Sequence, residues 1–336
     1  RELVRIVAKL TYDLKIRGGK SKKKSLKIYR YLNRIIRTAN ILFPHLERRR
    51  AGASVRCTSS ARDLTELSGE QLRLTEVQLK RYLPRSQQIY GCLVLKNRVR
   101  SDPVKVLVDR WPEFNVIICK PQYQQRGDLF KSTVVFANDD ALLEETIRTP
   151  SVFDWTQYLC VDIDFRHVDI LKAVAAERGV SCSSLSVSHM VIQEDVSHLP
   201  SVDSSGISLG CLDESHVDLV NQTWKFGRKE RTVGMIRNMI TNFPSCCVLD
   251  AEGRPVSWVL TYASCSLGVA YTLPEHRGKS YGTIVVIDLA KRFHAQGFPV
   301  YGLVEEANDL SYGLLKRMGF TGVPSHREAC ITFNDF

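Results

Sequence analysis

Short apolar runs and helical spacings alternate along the chain from about residue 67. Apolar positions at helical spacing over 72–83 predict a helix. The helix should end before Pro84, because a proline disfavours helical geometry at the residue that precedes it. Further apolar runs predict buried strands at 89–95, 104–108, 115–119 and 134–136. Strands and helical stretches continue to about residue 180. This order favours an α/β or α+β unit in the first half of the chain.

A polar, serine-rich stretch at 181–207 interrupts this pattern. No period is sustained there, although a short run at 190–192 is compatible with one strand. Such a stretch is typical of a connection between two domains. The predicted division is a leader at 1–65, a first domain at 66–185, a connection at 186–206 and a second domain at 207–336.

The second half returns to alternating elements. Its helical patterns lie at 213–224, 233–242, 283–294 and in a stretch that reaches Phe320. Its apolar runs predict strands at 246–249, 256–262, 267–272 and 297–304. A turn at 250–255 joins the first two of these strands in the manner of a hairpin.

The positive charge is confined to the start of the chain. The 336 residues carry a formal net charge of +11, but residues 1–60 hold 17 Lys and Arg against three acidic residues, and the remainder is at −3. A basic leader poor in acids is typical of a mitochondrial transit segment, while a nucleic-acid or membrane-surface arm and a disordered tail are the alternatives. We predict a disordered or transit-like leader, mitochondrial localisation and no nucleic-acid partner.

Two further classes of protein are disfavoured by composition. No apolar run approaches the roughly 20 residues that span a bilayer, so we expect no membrane span. The ten cysteines form no C-x-x-C pair and no Cys/His cluster with zinc-ligand spacing. Several lie inside apolar runs, so we expect buried free thiols, a reducing compartment and no metal.

The loop 273–282 joins a predicted strand to a predicted helix and carries glycine and positive charge. The first N–H groups of a helix lack intrahelical partners and lie at the positive end of its dipole, so they bind anions. Gly278 and Gly282 let the backbone approach a phosphate, and Arg277 and Lys279 add charge. A basic turn with glycine can equally be only a turn.

The elements after this loop make the anion site more specific. A strand at 297–304, an Asn308-x-x-Ser311 turn and a helix that ends at Gly319–Phe320 follow in order. This order resembles the acyl-CoA site of the GNAT acyltransferase superfamily, whose loop is Arg/Gln-x-x-Gly-x-Gly/Ala. Ser280 stands where that loop has its central glycine. A serine hydroxyl can donate to phosphate, but its Cβ would crowd the approach.

A set of ordered sequence words in both halves resembles the glycine N-acyltransferase family. The words are Leu83–Pro84–x–Ser86–x–x–Ile89–Tyr90–Gly91, Val108–Asp109–x–Trp111–Pro112–x–Phe114, Asp154–Trp155–x–Gln157, Phe243–Pro244–x–Cys246–Cys247–x–Leu249, Glu252–Gly253–x–Pro255–Val256–Ser257–Trp258, Thr272–Leu273–Pro274–Glu275–x–Arg277 and Gly297–Phe298–Pro299–Val300–Tyr301. The resemblance runs from about Leu72 to Phe320 and leaves 1–65 without a counterpart. It implies two GNAT-like domains, each a mixed, mostly antiparallel sheet flanked by helices.

The resemblance also implies an enzyme that transfers an acyl group from acyl-CoA, its co-substrate, to the amino group of glycine or another amino acid. The helix start after Gly282 would bind the pyrophosphate, and N–H groups around Ala270 to Leu273 would stabilise the thioester oxyanion. The residues implied to bind acyl-CoA are Leu273, Arg277, Gly278, Lys279, Ser280, Tyr281, Gly282, Asn308 and Ser311. Asn308-x-x-Ser311 can equally be a helix N-cap. We expect a monomer.

The resemblance breaks at the group that should deprotonate the acceptor. The family assigns this role to a Glu, and the matching position here is Ser266, which is the implied catalytic position but a poor base. Leu315 stands where many superfamily members have a Tyr that acts as the general acid. The titratable candidates for a relocated base are Glu275, His276, Glu305 and Glu306. The alternative functions are a catalytically impaired acyl-CoA-binding homologue, a binding-only acyl-CoA sensor and a nucleic-acid protein.

Overall fold

A computed structural model describes residues 64–99, 103–122, 129–202, 204–227 and 229–335. The predicted leader lies outside these residues except for its last two positions. Within the described ranges, no helix combines the length and apolar content needed to cross a bilayer.

Strands and helices follow one another from residue 65 to residue 333. The strands are β1 (Thr65–Glu66), β2 (Val104–Val108), β3 (Val116–Pro121), β4 (Thr133–Ala137), β5 (Leu159–Asp164), β6 (Cys182–Ile192), β7 (Ser208–Gly210), β8 (Cys246–Leu249), β9 (Pro255–Thr261), β10 (Leu267–Thr272), β11 (Tyr301–Glu305) and β12 (Thr321–Phe333). The helices are α1 (Glu70–Leu79), α2 (Gln87–Arg98), α3 (Asp140–Arg148), α4 (Val168–Glu177), α5 (Val217–Thr223), α6 (Lys229–Asn242), α7 (Tyr281–Ala295) and α8 (Asp309–Arg317).

The described strands form one mostly antiparallel sheet, in the order β1-β2-β3-β4-β5-β12-β6-β11-β10-β9-β8-β7. The parallel neighbours are β4 with β5 and β10 with β11. This mixed sheet flanked by helices confirms the predicted fold class.

The two halves of the chain exchange strands at the centre of the sheet. The last strand, β12, pairs antiparallel with β5 and with β6, both of which belong to the first half. Strand β6 in turn pairs antiparallel with β11 of the second half. Side chains that are far apart in sequence therefore share one face of the sheet at its centre, as Asp162 and Cys330 do in directly paired positions.

Strand alternation divides the first half between two hydrophobic cores. On β3, Ile117 and Cys119 lie in the core that continues into the second half, whereas Val116 and Ile118 lie in the core beneath α3 and α4. Successive side chains on a strand point to opposite faces, so a strand covered on both faces reads as an uninterrupted apolar run. This explains why β3 and β4 were predictable from sequence.

The predicted strand at 89–95 is wrong. These residues form the interior of α2, and all of Gln87–Leu95 is buried. A helix that is enclosed on every side carries no amphipathic period, so its apolar run looks like that of a buried strand.

The start of the predicted connection lies in β6, so the short strand expected at 190–192 is part of a longer strand that begins at Cys182. The boundaries proposed for the two domains stay a prediction. The predicted helices and strands of the second half are confirmed in order, with shifts of a few residues at their ends.

Candidate active site

The predicted anion site is built from the end of β10 and the start of α7. After a short 3-10 turn at Pro274–His276, the chain enters α7, whose first backbone bond runs from Ile284 N to Ser280 O at 3.0 Å. The N–H groups before Ile284 have no intrahelical acceptor. A Cβ added at Gly282 would have Thr272 Oγ1 as its nearest neighbour, at 3.5 Å. This helix start is therefore open and lies beside the end of the strand.

The conformation of Ser280 explains why the superfamily loop has glycine at this position. Ser280 is the residue before α7 and is left-handed, with φ 60°, and its side chain makes no capping hydrogen bond. A non-glycine residue in this region costs roughly 1–2 kcal/mol. Gly278 is also left-handed, with φ 77°. The two left-handed positions give the loop a tight turn directly before α7.

The two basic side chains of the loop stay close to it. Arg277 Nε donates to Thr272 O at 3.1 Å, and its guanidinium carbon lies 5.5 Å from the centre of the Tyr271 ring. Lys279 Nζ lies 5.9 Å from the centre of the Tyr281 ring. Both charges are therefore held beside the α7 N-terminus, where they would add to the attraction for an anion.

Asn308 is a helix N-cap. Its Oδ1 accepts from Ser311 N at 3.1 Å at the start of α8. Since β10 and β11 are parallel neighbours, α7 and α8 both begin at the same edge of the sheet. The structure thus places Asn308 and Ser311 at the same edge as the anion loop.

Strands β10 and β11 open a wedge at that edge. They pair at Leu267 and Gly302 and at no other described position. On its other side, β10 pairs with β9 through a bulge between Gly268 and Tyr271, and Val269 within it has φ 50°. The bulge takes Val269 and Ala270 out of regular pairing, which frees backbone groups for a ligand that enters the wedge.

One of the predicted donors is unavailable to a ligand. Leu273 N donates to Val256 O at 2.9 Å and so is already used in the sheet. The expectation that the Leu273 N–H binds the co-substrate is therefore wrong, because this N–H already donates to a carbonyl oxygen of β9. Of the predicted segment 270–273, Ala270 is the residue that lies in the bulge, next to Val269 and outside the regular pairing with β9.

Ser266 lies in the tight turn between β9 and β10 and is only 1 % exposed. Its hydroxyl has a weak contact with the carbonyl oxygen of its neighbour Leu267, at 3.4 Å. Leu315, at the Tyr position, is half-buried and packs towards Gly302 on β11. The base role of Ser266 stays a prediction from the family, and a contact with a carbonyl oxygen does not make its hydroxyl basic.

The structure separates the four candidates for a relocated base. Glu275 is exposed in the 3-10 turn and His276 stacks on Tyr281, with ring centres 6.5 Å apart. Glu306 accepts from Arg327 Nε at 2.5 Å. Glu305 alone among these four borders a partly open cavity.

This cavity, of about 360 Å³, lies on one face of the central strands. Its sheet side is polar, and it is lined by Asp162, Ser184, Ser186, Ser188, Leu303, Glu305, Cys330 and Thr332. Its opposite side is largely apolar, and it is lined by Cys92, Leu95, Phe130, Trp224, Phe226, Met235, Met239 and Phe243. Its size and mixed lining suit a small organic group with a few polar atoms.

Leu303 and Glu305 connect the cavity to the wedge. Both lie on β11 beyond the single pairing with β10, and both line the cavity. A ligand lying between β10 and β11 could therefore extend into the cavity past these two side chains.

Buried and half-buried ionisable groups lie on the cavity face and on the strand beside it. Burial raises the pKa of Asp162, although hydrogen bonds from Ser132 and Cys330 act in the opposite direction. Nearby, His326 Nε2 lies 2.7 Å from Glu328 Oε1. Burial raises the pKa of Glu328; for His326, burial acts to lower the pKa, but the hydrogen bond to Glu328 and the charges of Glu328 and Asp164 raise it overall.

The cavity residues of the first half were missed from sequence. Ser184, Ser186 and Ser188 recur at every second position, which is the period of a strand with one polar face. Asp162 carried no such signal, because its place beside Cys330 depends on pairing with the last strand of the chain.

The cysteines of the described part are all free thiols, and six of them are buried, as their apolar surroundings predicted. Cys160 Sγ and Cys330 Sγ lie 3.5 Å apart. Among the same described residues, no group of three or more His, Cys, Asp or Glu side chains is arranged to hold a metal ion.

Two family models match the chain in succession. The model for aralkyl acyl-CoA:amino acid N-acyltransferase matches residues 66–244, and that for the C-terminal region of the same family matches residues 246–330. Together they cover both the strands that line the cavity and the anion loop.

Individual proteins give the same result. Glycine N-acyltransferase of Rattus norvegicus is 32% identical over 282 residues, which cover 75% of this chain and 94% of that protein. Glycine N-acyltransferase of Bos taurus is 30% identical, with 77% and 96% covered. A Drosophila protein of known X-ray structure shares the fold at a TM-score of 0.64, 16% identity and coverage of 80% and 97%. The chain therefore belongs to the aralkyl acyl-CoA:amino acid N-acyltransferase family and is an acyltransferase.

Proposed function

We propose that this acyltransferase moves an acyl group from acyl-CoA to the amino group of glycine or another amino acid and releases CoA. The observation that carries the proposal is the continuity of three features: the open α7 N-terminus, the wedge between β10 and β11, and the cavity reached past Leu303 and Glu305. A nucleotide-linked thioester needs such an anion site, an extended channel and a pocket in this order.

Each part of the site has a role in this reaction. The N–H groups at the start of α7, with Arg277 and Lys279, would bind the pyrophosphate. The bulge at Val269 and Ala270 would orient the thioester and stabilise the charge that develops on its oxygen. The largely apolar lining of the cavity would limit the access of water to the acyl group and so favour transfer to an amine over hydrolysis.

The test is CoA release by the full chain with a small panel of acyl-CoA donors, with and without glycine, glutamine and other amino acids. We expect release that depends on both the donor and the acceptor. If no combination gives release above the uncatalysed rate between about pH 7 and 9, the proposed function is wrong. The comparisons give no support to an impaired homologue, and calorimetry with a non-hydrolysable acyl-CoA would reveal binding without turnover.

We also propose mitochondrial localisation and a monomeric state. The first rests on the basic, acid-poor composition of residues 1–65. A fluorescent protein fused to the C-terminal end of residues 1–65 should enter mitochondria. The same fluorescent protein fused to residues 66–336 should not. Light scattering of the purified chain should give one 38.1 kDa subunit.

A further inference from the structure

The proposed reaction needs a group that takes a proton from the acceptor, since an ammonium ion cannot attack a thioester. Ser266 is buried in its turn and offers no carboxylate. We propose that Glu305 and Lys225 form the acceptor site: Glu305 receives the ammonium group and removes its proton, and Lys225 binds the α-carboxylate. This inference rests on the proposed function and adds two residues to it.

The position of Glu305 is the first argument. It lies three residues beyond Gly302 on β11, roughly 10 Å along the strand from the point where β10 and β11 separate. Its side chain lines the cavity and is 26% exposed. Of the four titratable candidates near the wedge, this carboxylate is the one that belongs to both the wedge and the cavity.

The ion pair with Lys225 is the second argument. Lys225 Nζ lies 2.6 Å from Glu305 Oε2, and its side chain is 66% exposed. It also lies 4.8 Å from the centre of the ring of Phe226, which lines the cavity. A pair in which the lysine is mostly exposed contributes only about 1 kcal/mol, so little free energy is lost when its members separate. A zwitterion placed between them would give each charge a new partner of opposite sign.

The chemical step balances with these two groups. Glu305 takes one proton from the ammonium, and the freed lone pair forms a C–N bond with the thioester carbon. The C–S bond breaks, the CoA sulfur leaves with that electron pair, and it accepts a second proton from the nitrogen. The amide keeps the third hydrogen, and Glu305 returns its proton to solvent.

Two other carboxylates near the cavity are less suitable. Asp162 lies on β5, and two strands, β12 and β6, separate it from β11. Its Oδ2 accepts from the Ser132 hydroxyl. Glu306 follows Glu305 directly but accepts from Arg327 and does not line the cavity. Glu306 therefore provides a matched control of the same residue type at the next position.

The experiment compares Glu305→Gln, Lys225→Met and Glu306→Gln in the full chain, with kcat and KM measured for glycine and for glycinamide. We expect Glu305→Gln to lower kcat/KM by about 10²- to 10⁴-fold near pH 7. The loss should shrink towards pH 9, as more of the acceptor becomes free amine, which a merely structural role would not produce. Glu306→Gln should stay within about threefold of the wild type.

Lys225→Met should raise KM for glycine by about tenfold or more, the loss of about 1.4 kcal/mol of binding, with little change in kcat. For glycinamide, which lacks the carboxylate, wild type and variant should have the same KM. Activity of Glu305→Gln within threefold of an active wild type, or an equal effect of Lys225→Met on both acceptors, would overturn the inference and leave the proposed function standing. An inactive wild type would instead overturn the proposed function.

Discussion

Gly91 of α2 packs directly against the carbonyl oxygen of Ser264, in the turn that leads into β10. A Cβ added at Gly91 would lie 1.9 Å from this backbone oxygen. The first half of the chain thus contacts the turn that carries Ser266 and borders the cavity. Only glycine permits this approach without movement of the backbone.

Gly91→Ala should destabilise the protein by about 3 kcal/mol or more, since overpacking against backbone cannot be relieved by a change of rotamer. The control is Gly313→Ala in α8, where the new Cβ would meet only the flexible end of Arg317 at 3.3 Å. That change should be neutral or should stabilise by up to about 1 kcal/mol. Denaturant unfolding of both variants measures the difference. Equal changes in the free energy of unfolding of the two variants would show that the close approach to Ser264 does not restrict the side chain at position 91.

The carbonyl oxygen of Ser264 also accepts a hydrogen bond from the buried hydroxyl of Tyr301 on β11. This hydrogen bond ties the turn before β10 to the neighbouring strand at the closed end of the wedge. Tyr301→Phe should lower the free energy of unfolding by about 1–2 kcal/mol, because it leaves a buried acceptor with one fewer donor. A melting temperature unchanged from that of the wild type would contradict this role.

Ser280 allows a test of the anion loop. Ser280→Gly should leave stability nearly unchanged, because relief of about 1–2 kcal/mol of left-handed strain is offset by the greater freedom of glycine in the unfolded chain. Its KM for acyl-CoA should fall a few-fold, as the Cβ no longer limits the approach of phosphate. Ser280→Val should raise KM and lower the melting temperature. Identical KM values for all three proteins would argue against phosphate binding at this turn.

Asp162 should make stability depend on pH. Its pKa in the folded protein is raised above the ordinary value of 3.8 by burial, so the folded state binds the proton more tightly than the unfolded state. Stability from this group is therefore greatest at low pH and is lost as the pH rises through the folded pKa. Asp162→Asn should melt above the wild type at pH 7 and close to it near pH 4. If the melting temperatures of Asp162→Asn and the wild type differ by the same amount at every pH in this range, the titration of Asp162 does not cause the difference.

Sequence was most informative where the site is local. The anion loop, its helix and the N-cap at Asn308 are contiguous strand–turn–helix segments, and their signals are glycines, charges and a capping residue in fixed order. The strain at Ser280 was visible only as a departure from the superfamily loop. Its left-handed φ gives that departure a physical meaning.

The cavity could not be predicted in the same way. It forms where strands from both halves pair, so its residues come together only through the exchange of β6 and β12. The enclosed helix α2, which supplies Cys92 and Leu95 to the cavity, lacks an amphipathic period, and its apolar run resembles that of a buried strand. Long-range pairing and complete burial are the two features that a single apolar pattern does not encode.

The most direct test of the central claim is mass spectrometry of the product. Purified full-length protein would be incubated with an aralkyl acyl-CoA and isotopically labelled glycine, and the N-acyl amino acid and free CoA would be quantified together. The account predicts labelled N-acylglycine, or the corresponding product of another amino acid, in a one-to-one ratio with CoA. Free CoA accompanied by the free acid alone, or no turnover with any acceptor, would contradict it.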